Sequence, residues 1–151
     1  MNDPRQDLAY ACNELSRRAK AREIPDRQLV RFAFLALGRI ALDEGLAVAK
    51  PLGKELSVAA APHEEHWTEA VDSEIYLAVT EHVNSVDPRY LDHPQYDFAY
   101  TVSARERLEA RLRALEALEW NVDESLLDQV SAADGRLAPY LEPPEDENRA
   151  D

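Results

Sequence analysis

The sequence predicts an all-α fold: a single-domain bundle of about five helices over residues 1–141, with a buried second helix and a disordered acidic tail over 142–151. Three observations carry that expectation. Apolar residues recur at the three-to-four-residue spacing of a half-buried helix through most of the 151-residue chain. Capping residues and prolines punctuate the apolar stretches about once per helix length. Only 4 Gly are present, few for a turn-rich β fold, while a hydrophobic fraction of 45% is enough for a real core.

Asp3-Pro4 reads as an N-cap followed by proline at the first helical position, where its missing N–H costs nothing. Leu8, Cys12, Leu15 and Ala19 then form one stripe, predicting a helix to about Arg22. Ile24-Pro25 breaks it, because the residue before proline avoids the α region. The second helix is expected from about Pro25 to Ala49, apolar in nearly every direction and therefore central. Pro51 and Gly53 are expected to end it, with a short helix over 54–61 before Pro62. A third helix is expected over His63–Val83, with Trp67, Val71, Ile75, Ala78 and His82 on one face and Glu74 among them.

Asp-Pro and His-Pro pairs make 84–95 a loop. Phe98–Val102 is read as helical. Ser103-Ala-Arg-Glu106 matches a capping box, followed by a stripe of Leu108, Leu112, Leu115 and Leu118. Asn121-Val-Asp-Glu124 is a second capping-box match, opening a helix that turns Leu126, Val130, Ala133 and Leu137 inward and stops at Pro143-Pro144.

Charge narrows the function. The chain holds 30 acids against 17 bases, a net of −13, which disfavours nucleic-acid binding by phosphate neutralisation. Residues 1–60 carry net +2, 61–102 net −8, 103–141 net −3 and the tail net −4. The 61–102 segment also holds all 4 His and 6 of the 11 aromatics. One Cys excludes an intramolecular disulfide framework and a cysteine-based zinc site; Cys12 itself reads as a small buried hydrophobe. The N-terminal residues are polar and the most apolar stretch, 29–49, is interrupted by charge, so neither a secretory leader nor a membrane span is expected. A cytoplasmic protein is the expectation.

Candidate sites follow. The proline-stiffened loop after Asp87 mixes tyrosine with aspartate. Tyr90, Asp92, Tyr96 and Asp97 are its expected partner-binding residues, since tyrosine gives large contact area at low entropic cost and aspartate adds directional charge. The expected function is therefore a non-enzymatic acidic module that engages a basic protein partner through 61–102, in the manner of an immunity or antitoxin-like neutraliser or an accessory subunit. A homo-oligomer is open if the first helix's stripe faces a second copy. The alternative is a metal- or ligand-binding bundle, possibly an enzyme, using His63, His66, Glu69 and Glu74. No cofactor, metal or catalytic residue is assigned. Glu74 on an apolar face calls for a buried arginine partner, with Arg39 the expected mate. His82 is expected to be a hydrogen-bonded core residue. The basic stretch from Arg17 to Arg31 is expected to complement acids of the same molecule or to stand solvated.

Overall fold

A computed structural model describes residues 3–141; the acidic tail expected over 142–151 lies outside them. The described chain is helical, with no strand among its residues: α1 (Pro4–Ala21), α2 (Arg27–Glu44), α3 (Leu46–Ala60), a 3-10 turn (Ala61–His63), α4 (Glu64–Ser85), the single-turn α5 (Pro88–Leu91), α6 (Phe98–Ala117) and α7 (Glu124–Leu141). Six helices are thus long, one more than expected. The extra helix comes from Gly45. Its φ of 94° and ψ of 162° suit glycine and strain other residues, and its carbonyl and N–H close the ends of α3 and α2. The expected single helix over 25–49 therefore breaks at residue 45, and the expected short helix over 54–61 is the end of a longer α3 that carries Pro51 within it.

Gly53 does not stop a helix either. A Cβ there would meet the Ala117 carbonyl oxygen at 2.5 Å, so glycine lets α3 lie against α6. Gly38 does the same for α2, against the backbone of Ala110. Helix α2 is the centre of the bundle, touching α1, α3, α4 and α6. Its core residues include Val30, Phe34, Leu37 and Ile40, while Arg27, Arg31, Phe32 and Arg39 keep one face exposed. The stripe of α1 packs internally, with Leu8, Ala11 and Leu15 in the same core.

Two caps fall elsewhere than expected. Helix α6 begins at Phe98 because Asp97 accepts from the Ala99 N–H at 2.9 Å. Ser103 is mid-helix, where its hydroxyl accepts from Arg107 at 2.6 Å. Helix α7 is capped by Asp123, which accepts from the Ser125 N–H at 2.8 Å, two residues after Asn121. A second, smaller cluster of Val86, Leu91, Ala133 and Leu137 joins the loop to α7. No described helix is long and apolar enough to cross a membrane.

Candidate functional site

The loop residues expected to meet a partner are largely engaged within the chain. Tyr96 is half-buried; its hydroxyl donates to the Ser85 carbonyl at 3.0 Å and lies against the Thr101 hydroxyl. Its ring meets Phe98 edge-on at 5.4 Å, and Phe98 lies 5.9 Å from Tyr140. Asp92 accepts a hydrogen bond from Tyr140 and Asp97 caps α6. Tyr90 stacks on Tyr96 at 6.1 Å yet stays 50% exposed, the most outward of the four with Asp92 and Asp97. These side chains, together with the single turn of α5, hold the loop over the small cluster.

The alternative constellation is not brought together. His63 is buried, with Nε2 2.9 Å from the Leu15 carbonyl oxygen. His66 is exposed, Glu69 reaches toward Arg27 at 3.7 Å, and Glu74 faces Arg111 and Arg31. Among the described residues, no group of three or more His, Cys, Asp or Glu is placed to hold a metal ion.

Glu74 does pair with arginine from other helices, but the mate differs from the expected one. Arg39 points outward and pairs with Asp43 at 3.5 Å. Arg111, 5% exposed, holds Nε and Nη2 3.4 Å from Glu74 and donates from Nη1 to the Arg107 carbonyl at 2.9 Å. Burial pulls the Arg111 guanidinium below the usual arginine value, and Glu74 opposes that. Sequence alone favoured the arginine of the buried helix; which arginine is buried depends on the rotation of α6.

His82 is a core residue as expected. Nε2 lies 2.8 Å from Asp134 Oδ1, an oxygen also bonded by Arg105 Nε at 2.8 Å, so α4, α6 and α7 meet at one carboxylate. His82 Nδ1 is buried with no hydrogen-bond partner among the described residues. Burial therefore pushes the imidazole below its ordinary value, with Asp134 opposing. This arrangement suits a neutral ring whose Nε2–H donates and whose bare Nδ1 needs no donor. Cys12 is half-buried and free, and burial raises its thiol. The early arginines are mostly spent on nearby acids. Arg17 and Arg18 both bind Glu14, holding its carboxyl down to about 2, while Arg27 and Arg31 reach the acids of α4.

A surface of uncompensated charge beside an apolar groove lies elsewhere. A groove of about 610 Å³ runs between α4, the end of α6 and the start of α7. Ile75 and Leu115 form its buried floor, Val122 and Leu126 its flank, Trp120 and Tyr76 its walls, and Asp72 and Asp123 its rim. Trp120 is placed by the end of α6. Glu119 takes φ 54°, the Glu119 N–H bonds the Glu116 carbonyl at 3.1 Å and the Trp120 N–H bonds the Leu115 carbonyl at 2.9 Å. That is a Schellman ending, with its usual apolar contact between Trp120 and Leu115 on the groove wall.

Between Arg113 and Arg136 the chain has no base, and Glu116, Glu119, Asp123, Glu124 and Asp128 are exposed there. Neither they nor Asp72 take part in an ion pair among the described residues. The signal was present in the sequence. Arg105, Arg107, Arg111 and Arg113 precede the acidic run and offset it in the net charge of 103–141.

The fold and this surface define an all-helical protein with an acid-rimmed apolar groove. Compared with known proteins, the chain matches no family model, no curated protein and no solved structure.

Proposed function

We propose that this chain is a non-enzymatic acidic helical module that binds a basic protein partner, as an immunity or antitoxin-like neutraliser or an accessory subunit of a larger complex. One observation supports this most: acids with no ion-pair partner among the described residues stand beside the exposed ring of Tyr76 and the half-buried ring of Trp120. Asp72 and Tyr76 on α4 meet Trp120 and Asp123 across one groove, with further unpaired acids in the same stretch. Negative potential over an apolar surface speeds encounter with a cationic partner and orients it, and the rings then supply desolvated contact area. The 61–102 segment contributes Asp72 and Tyr76 to that face, and its loop offers Tyr90, Asp92 and Asp97 as a further outward contact braced by Tyr96.

The test is capture from native lysate on immobilised protein, with elution by raising salt from about 0.05 M to about 0.5 M, which shortens the Debye length several-fold. A basic protein retained at low salt and released at high salt is the expected result. Retention of nothing, or of a partner that ignores salt, contradicts the reading.

A further inference from the structure

We infer that the Trp120 groove receives the apolar face of a basic amphipathic helix, two apolar side chains entering between α4 and α7 while Lys or Arg on either flank meet Asp72 and Asp123. This rests on the basic-partner reading above and specifies its site and the partner's form. The groove has α4 as one wall, the α6–α7 connection at Trp120 as the other and an apolar floor, a setting in which helix faces can be recognised through anchors one turn apart. It is held ready. The Schellman bonds set Trp120, the Asp123 cap sets the first turn of α7, and Ile75 and Leu115 are already packed in the core. A site with little ordering left to do binds with a smaller entropic loss.

Charge selects the occupant. Both rim carboxylates are exposed and unpaired by any base among the described residues, and the neighbouring acids Glu119 and Glu124 have the same sign. A second copy of this chain would bring like charges together across a two-fold contact, which opposes association. Two other grooves among the described residues make no such selection. In the one lined by Arg31, Arg107 and Arg111, the cations face Glu74 and Glu81. The one over Phe32 and Leu42 alternates Arg39 and Arg107 with Asp43 and Glu106.

The probe is a helical lysine–alanine peptide with two leucines one turn apart, compared with the same peptide bearing alanine at both places. Tryptophan emission reports the site, with buried Trp67 as a constant background. The leucine peptide is expected to bind at least about tenfold tighter than the alanine peptide and to shift Trp120 emission to shorter wavelength. Two variants keep the fold. Asp72→Asn with Asp123→Asn removes charge while asparagine still caps α7, and Tyr76→Ala trims a ring that is 59% exposed. Each should weaken the leucine peptide about tenfold with an unchanged melting temperature.

Equal, salt-sensitive binding of both peptides without an emission shift overturns the groove and leaves the basic-partner reading standing. Binding of neither overturns both. Undiminished binding by the Asp72→Asn, Asp123→Asn variant overturns the selection of basic flanks.

Discussion

Alanine at Gly38 would place a methyl carbon 2.8 Å from the Ala110 carbonyl carbon, and nearer still to its oxygen. Ordinary contacts begin near 3.4 Å, and the obstacle is helix backbone, which cannot rotate aside. Helices α2 and α6 must therefore part by roughly 1 Å, enough to forfeit a quarter to a half of the dispersion attraction across that gap. The residues affected belong to the most extensive helix pairing of the bundle: Phe34, Leu37 and Ala41 of α2, and Leu108, Ala114 and Leu115 of α6.

Overpacking of this kind costs about 1–3 kcal/mol, occasionally more. Alanine's better helix propensity returns about 1 kcal/mol. Against helix backbone the upper end of that range applies, so the balance is a loss of about 2 kcal/mol, or roughly 4–8 °C in melting temperature for a chain of this size. The control is Gly135→Ala in α7, where the new methyl meets nothing within 4 Å. There the propensity gain stands alone and stability should rise by about 0.5–1 kcal/mol. Thermal and urea unfolding followed by circular dichroism measure both variants. A Gly38→Ala protein as stable as the parent would refute the described approach of α2 to α6.

Other consequences can be measured on the same protein. The folded-state value of His82 lies below its unfolded value, so protonation favours the unfolded chain. The imidazole's contribution is intact above about pH 6.5 and is lost as pH falls below it. His82→Gln can still donate to Asp134 but does not titrate, so its urea midpoint should depend less on pH between about 7 and 5.5; identical pH profiles would count against the neutral-ring assignment. Glu74→Gln leaves Arg111 buried with less compensation and should cost about 2 kcal/mol, below the usual figure for a buried pair because the contacts are 3.4 Å long. The double change Glu74→Leu with Arg111→Met should recover most of that, and a costless single change would show the pair to be idle. Glu119→Gly removes a side chain from a left-handed position and should stabilise by about 0.5–1 kcal/mol; a loss in urea unfolding would argue against the Schellman ending.

Sequence reading reached the helices whose signals are local. Asp3-Pro4 opens α1, the buried face of α4 from Trp67 to His82 is as spaced, and Phe98–Val102 is helical. It failed where a local pattern competed with a tertiary one. Apolar spacing continues on both sides of Gly45, so periodicity carries the helix through it, although its φ turns the chain. Ser103-Ala-Arg-Glu106 is a capping box by residue type, yet Asp97 starts the helix six residues earlier and aromatic packing by Phe98 keeps the first turn. The site was only half legible. An acidic, aromatic surface was foreseen, but its groove depends on how α4, α6 and α7 assemble, and Trp120 falls outside the segment that the charge blocks singled out.

Amide-resolved NMR of the isotope-labelled chain, titrated with the leucine-bearing basic peptide, tests the docking surface most directly. Shifts should gather on Asp72, Tyr76, the Trp120 indole, Asn121 and Asp123, and fade as salt is raised. Shifts confined to the 87–97 loop, or to the arginines of α2 and α6, would contradict the assignment of the groove.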